Sequence, residues 1–216
     1  MLEEADFYSA LEKRHGKEIQ EVIRQTEVTI CGLGGLGSNI AIALSRCGIA
    51  KLRLIDFDCV DISNCNRQQY FLSQVGKKKT ESLAEIIGMI NPFVELELFD
   101  CRLSEQNMGE ILKDSLFICE AFDDATQKAM LTNYVLEKMP DSFLVGASGM
   151  AGYGESNLIH TRKVFGKFYL CGDETNGLET GKCLMAPRVM ICAAHQANMI
   201  LELIIKHGKE DKDGYI

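Results

Sequence analysis

Residues 28–38 read VTICGLGGLGS, a short apolar run that passes directly into a glycine-rich turn. The apolar run predicts a buried β-strand, and apolar residues at helical spacing over 40–47 predict a helix after the turn. Gly48 ends this helix, and a second apolar run at 52–55 predicts the next strand. Because such crossovers are right-handed, the two strands are expected to be parallel neighbours in a βαβ unit.

Helices and strands are predicted to alternate along the rest of the chain. This alternation indicates an α/β fold, a Rossmann-like, doubly wound, mostly parallel sheet with a few additional late strands. We expect a polar helical arm over 1–26, one domain over 27–206 and a solvated tail over 207–216. The later elements are predicted strands over 94–98, 116–119, 143–145, 157–165 and 167–171, and predicted helices over 80–90, 125–139 and 188–206.

The composition is that of a folded, acidic protein. Its 216 residues are 46% hydrophobic and 25% charged, and the formal net charge is −8. A net acidic chain disfavours general nucleic-acid binding, which requires a basic surface, so no nucleic-acid partner is expected. The uninterrupted apolar runs are far shorter than the roughly 20 residues of a membrane span, and the N-terminus is polar. No membrane association is expected, and the expected location is cytoplasmic.

The nine cysteines form no CxxC pair, so the usual signature of a structural zinc site is missing. Their number is odd, and most lie in apolar segments. This usage is typical of free, buried thiols in a reducing compartment. No structural zinc is expected.

The glycine-rich turn has the dinucleotide fingerprint in its required strand–turn–helix context. Gly32, Gly34 and Gly37 have the G-x-G-x-x-G spacing. Glycines let the backbone approach phosphates, and the following helix offers unpaired N–H groups at its positive end. Asp56 ends the second predicted strand, where a carboxylate accepts hydrogen bonds from ribose hydroxyls. A nucleotide site is predicted, but this spacing alone does not distinguish NAD from ATP.

The segment after Asp56 favours a triphosphate. It is polar and carries Asn64 and Arg67, and Lys79 follows at the start of the next predicted helix. A hydride-transfer site needs no cations beside its nicotinamide. A triphosphate site needs them, because charge builds up on the transferring phosphorus and the departing pyrophosphate. The plainer alternatives are a surface salt bridge for Arg67 and a solvated face for the lysine run.

Residues 28–88 resemble the nucleotide module of the MoeB/ThiF/HesA and ubiquitin-activating-enzyme superfamily. The ordered signature is GLGGLGS, then DFD, SNxxRQ, a lysine that opens the next helix, and a later pair of aspartates. The resemblance spans about residues 14–205, and the chain is most similar to a compact ThiF-type adenylyltransferase. It implies that 27–206 form a ThiF-type ATP-binding adenylation domain.

The resemblance also implies a reaction and a partner. ATP and Mg²⁺ would activate the C-terminal glycine carboxylate of a ubiquitin-like sulfur carrier, similar to ThiS, as acyl-AMP for thiamine thiazole biosynthesis. Glycine-rich residues 146–154 are candidates to hold the carrier's Gly-Gly tail. A homodimer is expected, because the arm over 3–25 has too few apolar residues to pack alone and because a family arginine acts across the subunit interface.

Family roles are carried over residue by residue. The loop glycines approach the α-phosphate, the aspartate holds the ribose, and the Asn–Arg pair faces the phosphates. The matching nucleotide-binding residues here are Gly34, Gly35, Gly37, Asp56, Asn64, Arg67 and Lys79. Arg67 and Lys79 are also expected to act in catalysis, whereas Asp58 is interpreted as a turn residue.

Besides Arg67 and Lys79, three further residues receive catalytic roles from the resemblance: Asp123, Arg14 and Cys183. The family lysine matches Lys79, although the run 77–79 leaves the register open. The Mg²⁺-binding aspartate matches Asp123, but Asp124 stands where the family has asparagine, so both carboxylates stay open as the metal ligand. Arg14 is the nearest match to the arginine that reaches the γ-phosphate region of the other subunit.

Cys183 is the third, and the only thiol expected to take part in chemistry. It follows the polar segment 172–182 and precedes a predicted helix, and cationic neighbours and helix N-termini favour the thiolate. ThiF-like proteins place here a cysteine that joins the activated carrier through an acyl linkage. The alternative is a small buried residue. Cys171 lies where larger relatives begin a zinc-binding CxxC, but its partner cysteine is missing.

Three other functions stay open. One is an ATP-dependent enzyme similar to tRNA threonylcarbamoyladenosine dehydratase, which the acidic net charge disfavours. An NAD-dependent Rossmann oxidoreductase is disfavoured by Arg67, Lys79 and Asp123. A silent nucleotide-binding module is disfavoured because these positions and Asp56 are all filled.

Overall fold

A single sheet of seven strands organises the protein in the computed structural model, which describes residues 3–177 and 181–213. The strands are β1 (Glu27–Cys31), β2 (Lys51–Ile55), β3 (Glu95–Phe99), β4 (Phe117–Glu120), β5 (Phe143–Ala147), β6 (His160–Phe165) and β7 (Phe168–Gly172). Their order along the sheet is β3-β2-β1-β4-β5-β7-β6. All neighbouring pairs are parallel except β6 and β7, which are antiparallel.

Helices cover both faces of this sheet. They are α1 (Glu4–His15), α2 (Lys17–Ile23), α3 (Gly35–Arg46), α4 (Lys79–Ile90), α5 (Met108–Ile111), α6 (Ala125–Lys138) and α7 (Ala186–Asp213). The first core joins α3, α4 and α7 to strand residues such as Ile30 and Leu54, and the second joins α5 and α6 to residues such as Ile55 and Leu144. Because strand side chains alternate between the faces, the sheet feeds both cores. The predicted doubly wound α/β fold is confirmed.

The strand order reverses between β1 and β4. The chain leaves the carboxyl end of β1 toward β2 on one side, whereas β4 is followed by β5 on the other side. Loops at such a switch point diverge and leave a crevice, where open α/β sheets bind their ligands. The glycine-rich turn follows β1 and the Asp123–Asp124 pair follows β4, so both reach this crevice.

The final helix is longer than predicted. A solvated tail was expected from residue 207, but α7 continues through Asp213, and residues 214–216 lie outside the described part of the chain. The His207 ring lies 6.0 Å from the ring of Phe117 and 5.9 Å from that of Phe143, so side-chain packing extends past the expected end. By length and composition Ala186–Lys209 could cross a membrane, but 50% of its most apolar window is buried, and the helix packs along α3 as a core helix does.

The N-terminal arm docks on its own chain. Gly16, with φ of 87°, separates α1 from α2. Tyr8, Gln20 and Ile23 are buried, and Gln20 Nε2 donates to the carbonyl oxygen of Cys47 at 3.2 Å. The expectation that the arm has too few apolar residues to pack alone is therefore wrong. The composition of the arm no longer supports a homodimer.

Candidate functional site

A cavity of about 960 Å³ opens at the switch point. Two predicted loops, after β1 and β4, meet there with the segment after β2. Of the predicted site residues, those that line the cavity are Gly34, Gly35, Asp56, Asn64, Arg67, Lys79 and Asp123. Gly37, Arg14 and Cys183 do not line it. The structure thus brings seven of the predicted site residues together in one cavity and leaves the other three outside its lining.

The glycine turn forms one wall of this cavity. α3 begins at Gly35, so the unpaired N–H groups of its first turn lie at the wall, where the helix dipole favours an anion. Gly32 has φ of 93°, and a Cβ there would come within 2.9 Å of the Ala121 carbonyl oxygen. Gly37 lies beneath the turn, where a Cβ would overlap the Gly32 carbonyl oxygen. The structure therefore assigns Gly37 to helix–strand packing, not to phosphate approach.

Asp56 fastens the glycine turn as well as facing the cavity. Its side chain is 8% exposed. Oδ2 accepts the Leu33 N–H at 2.6 Å, and Oδ1 accepts the Asp58 N–H at 2.8 Å. Burial raises the pKa of the Asp56 carboxyl, while Lys79 and the two N–H donors lower it. A carboxylate held in this way still has free lone pairs for hydroxyl donors.

Burial and ion pairing distinguish Lys79 from the two lysines that precede it. Lys79 is 5% exposed, and its Nζ lies 2.6 Å from Asp58 Oδ2 and 3.9 Å from Asp56 Oδ2. Lys77 pairs with Glu85 and Lys78 with Asp100, both away from the cavity. Of the three lysines at 77–79, Lys79 is thus the one that lines the cavity in the described part of the chain. Asp58, interpreted as a turn residue, is also its ion-pair partner.

Asn64 and Arg67 lie in one turn after β2. Asn64 Oδ1 accepts the Asp61 N–H at 3.1 Å, which leaves its amide N–H groups for a ligand. Arg67 Nη1 donates to the Ser63 carbonyl oxygen and to Asn66 Oδ1, and the stem of Arg67 lies over Gly35. Within the described chain Arg67 forms no ion pair, so the salt-bridge alternative finds no partner there. Its charge is available to a phosphate.

The two aspartates after β4 have different surroundings. Asp124 is the N-cap of α6, and its Oδ1 accepts the Gln127 N–H at 2.8 Å. Asp123 lines the cavity, and its exposed carboxylate has no hydrogen-bond or ion-pair partner among the side chains described in residues 3–177 and 181–209. Among the side chains that the structure describes, in residues 3–177 and 181–209, no group of three or more His, Cys, Asp or Glu is placed to hold a metal ion. A hard cation at Asp123 would therefore take its other ligands from phosphate and water, as Mg²⁺ commonly does.

Two ion pairs in or beside the cavity were missed by the sequence analysis. Glu120 at the end of β4 is 3% exposed and accepts from Lys128 Nζ at 2.8 Å, while Lys128 also donates to the Ala147 carbonyl oxygen at 3.1 Å. A glutamate inside a buried strand needs a partner, and this was the available signal. The pair ties the loop of Asp123 to the end of β5.

The second missed pair is Asp173 with Arg188, both of them buried. Burial opposes ionisation of Asp173, but hydrogen bonds from Asn176 and Thr175 and the charge of Arg188 lower its pKa to about 2. Arg188 also donates to the carbonyl oxygens of Gly154 and Glu155. The pair thereby joins the start of α7 to the two loops that form the far wall of the cavity.

Arg14 and Cys183 lie apart from the cavity lining. Arg14 is exposed in the last turn of α1. Cys183 is exposed, and its carbonyl oxygen accepts the Gly152 N–H at 2.8 Å, so its segment borders the glycine-rich loop. Its neighbour Leu184 does line the cavity. Cys171, by contrast, is fully buried in β7.

Comparison with known proteins gives a family and several relatives. The model of the ThiF family matches residues 8–216. The tRNA threonylcarbamoyladenosine dehydratase of Haemophilus influenzae is 33% identical over 129 residues, 59% of this chain and 49% of the relative. Ubiquitin-like modifier-activating enzyme 5 of Dictyostelium discoideum is 42% identical over 108 residues, 48% of this chain and 28% of the relative. The chain therefore spans about half or less of the length of these relatives.

Among solved structures, the fold is similar to that of E. coli tRNA N6-threonylcarbamoyladenosine dehydratase in complex with ATP. The TM-score is 0.86 at 20% sequence identity, with 97% of this chain and 99% of that chain covered. At this identity the likeness shows the shared fold.

Proposed function

Because this chain belongs to the ThiF family, we propose that it is an ATP-dependent adenylyltransferase that activates a carboxylate as an acyl-adenylate and releases pyrophosphate. One observation carries this proposal: Asp56, Arg67, Lys79 and Asp123, which are distant in sequence, line one cavity beside the glycine turn. An ATP complex of a structural neighbour supports the choice of nucleotide.

Each residue has a role that its surroundings permit. The N–H groups at the start of α3 receive a phosphate, and Asp56 accepts from the ribose hydroxyls. Arg67 and Lys79 stabilise the charge that develops on the α-phosphorus and on the departing pyrophosphate. Mg²⁺ held by Asp123 and phosphate oxygens would neutralise further charge. The attacking carboxylate is already ionised, so the chain needs no general base, and positioning supplies much of the catalysis.

The carboxylate substrate is the finer part of the proposal. The relatives are named for tRNA threonylcarbamoyladenosine and for ubiquitin-like modifiers, and they support the dehydratase-like alternative better than a ThiS-type carrier. The carboxylate of threonylcarbamoyladenosine in tRNA is therefore the first candidate. The net charge of −8 favours the second, a ubiquitin-like protein with a C-terminal Gly-Gly, because tRNA binding draws on basic surface.

ATP–pyrophosphate exchange separates these candidates. The protein is incubated with ATP, Mg²⁺ and labelled pyrophosphate, with either threonylcarbamoyladenosine-containing tRNA or a ubiquitin-like protein ending in Gly-Gly. Exchange that depends on one of them identifies the carboxylate. If neither supports exchange and the protein binds NAD in preference to ATP, the adenylation proposal is overturned.

Cys183→Ser is expected to leave pyrophosphate exchange within about twofold of the wild type, because acyl-adenylate formation requires no thiol. A covalent adduct with a Gly-Gly protein, formed when the thiolate displaces AMP, should disappear. Intact-mass spectrometry of the reaction measures the adduct. Cys59→Ser is the matched control, since Cys59 is the other exposed cysteine and should leave the adduct intact. An adduct that survives in Cys183→Ser would reject this role.

Arg14 is proposed to act across a homodimer interface, because it lies outside the cavity lining of its own chain. Arg14→Ala should lower exchange at least about tenfold, as loss of one charge partner of a phosphate does. If it acts in trans, mixing it with an inactive Asp123→Ala protein should restore about a quarter of wild-type activity through mixed dimers. Light scattering that shows a fully active monomer would contradict the proposal.

A further inference from the structure

The far wall of the cavity consists of two loops, 148–155 after β5 and 173–177 after β7. The loops are bonded to each other, because the N–H groups of Asp173 and Glu174 donate to carbonyl oxygens of the first loop at 2.9 and 3.0 Å. None of the residues assigned to the nucleotide lies in either loop. The far wall is therefore a part of the cavity that the nucleotide site does not account for.

The buried ion pair of Asp173 and Arg188 fastens both loops. The Asp173 carboxylate accepts the N–H groups of Thr175 and Asn176 at 3.0 and 2.8 Å, so it shapes its own loop. Arg188 reaches the other loop and donates to the carbonyl oxygens of residues 154 and 155 at 2.8 and 3.0 Å. One ion pair thus sets the position of both loops relative to the start of α7.

The backbone beside this pair adopts conformations that are unfavourable for its residues. In the described part of the chain, the non-glycine residues with positive φ are Asp114, Glu155 and Glu174, at 62°, 47° and 57°. Glu155 provides a carbonyl oxygen to Arg188, and Glu174 follows Asp173. Such conformations cluster at ligand-binding sites. The pair is also a poor source of stability, because Arg188 Nε is buried without a partner and both charges are desolvated.

The first loop carries unused hydrogen-bond donors at the cavity. The N–H groups of Gly149 and Met150 and the hydroxyl of Ser148 have no acceptor among the described residues, and all three residues line the cavity. Such donors bind carboxylate oxygens. The far wall also adjoins the glycine turn, since a Cβ on Gly35 would lie 2.8 Å from Val189 Cγ1.

We propose that Asp173 and Arg188 are positioning residues for the carboxylate substrate, an inference that rests on the proposed function. The pair holds the free donors of the first loop beside the glycine turn, where a carboxylate that attacks the α-phosphorus has to lie. A small displacement of a reacting group is costly to such a reaction. Neither residue lines the cavity itself, so ATP binding should not depend on the pair.

The double variant Asp173→Asn/Arg188→Met tests this role. Replacing a buried ion pair as a whole is far less destabilising than removing one partner. Asparagine keeps an acceptor for the N–H groups of the second loop, whereas methionine cannot hold the carbonyl oxygens of the first. The KM for the carboxylate substrate in pyrophosphate exchange should rise at least about 10-fold. The Kd for ATP, measured by titration calorimetry, should stay within about twofold. The substrate used is whichever of the two candidates supports exchange in the wild type.

Arg53→Met/Glu97→Gln is the matched control. Arg53 pairs with Glu97 at 3.0 Å and donates to two backbone carbonyl oxygens, of Ile111 and Lys113, as Arg188 does in the first loop. This pair lies outside the cavity lining. Its replacement should change the stability to urea and leave the KM for the carboxylate unchanged.

A folded double variant with the wild-type KM for the carboxylate overturns the role, and so does a Kd for ATP that rises as much as this KM. If the double variant does not fold, Arg188→Lys decides, because lysine keeps the charge beside Asp173 but lacks the planar fork that spans several acceptors. Its KM for the carboxylate should rise at least about threefold, and an unchanged KM rejects the proposal. A wild-type protein that supports exchange with neither candidate overturns the proposed function itself, and this proposal with it.

Discussion

Asp123→Ala is expected to lower substrate-dependent ATP–pyrophosphate exchange at least about 100-fold while the fold stays intact. The Asp123 carboxylate lines the cavity and has no partner among the described residues, so its removal leaves no buried group unpaired. What is lost is the charge that would hold Mg²⁺ against the phosphates. The assay is exchange at saturating ATP, with circular dichroism to verify the fold.

Asp124→Ala is the control for this prediction. Asp124 caps α6 through Gln127, and losing an N-cap costs about 1 kcal/mol of stability. Exchange should change by no more than a few fold. If Asp124→Ala abolishes exchange and Asp123→Ala does not, the metal ligand is wrongly assigned. If both retain full exchange, the cavity is not the adenylation site.

The part of the fold that could be predicted is the part with strong local signals. The strand, glycine turn, helix and second strand within 28–55 carry their own start and stop residues, and they were predicted nearly as observed. The two consecutive strands that form the β6–β7 hairpin were also predicted. The placement of this hairpin in the sheet, where β7 pairs with β5 and β6 forms the edge, was not predicted. That order depends on pairing between distant segments, which leaves no local sequence pattern.

At the two ends of the chain, the structure differs from what the local sequence predicted. The polar composition near residue 207 suggested a tail, yet the helix continues, because His207 packs on Phe117 and Phe143. The arm has few apolar residues, yet Tyr8 and Ile23 dock on the body. Contacts between distant segments decided both cases, and helical periodicity within each segment could not report them.

The functional site also contains residues that the sequence predicted and residues that only the structure reveals. Asp56 was predicted from its place at the end of a strand and Arg67 from the polar segment that follows, whereas Asp123 came from the family resemblance. The choice of Lys79 over its two neighbours needed burial, which a run of three lysines does not reveal. The Glu120–Lys128 pair is visible only once side chains can be matched with their partners.

The excess of carboxylates in the cavity lining indicates that a bound triphosphate would need additional cations. Among the described lining residues there are seven carboxylate side chains and four basic ones, and two of the basic ones are paired with carboxylates of the same wall. A triphosphate would therefore meet a net negative wall apart from the glycine turn, Arg67 and Arg102. The proposed Mg²⁺ at Asp123 and the proposed arginine from a partner subunit would each offset this charge.

Gly37→Ala is expected to destabilise the protein by more than about 3 kcal/mol, the range of severe packing defects. The added Cβ would overlap the Gly32 carbonyl oxygen and lie 3.2 Å from Ile30 Cγ2. The first of these atoms belongs to the backbone, so no side-chain rotation relieves the clash, and α3 must move away from β1. Urea denaturation measures the loss. Gly88→Ala is the control: Gly88 is an exposed position in α4 with no atom within 4 Å of the new Cβ, and it should gain about 0.5–1 kcal/mol. A Gly37→Ala protein as stable as the wild type would mean that α3 does not approach β1 as closely as described, and the phosphate-binding role of the turn between them would lose its structural basis.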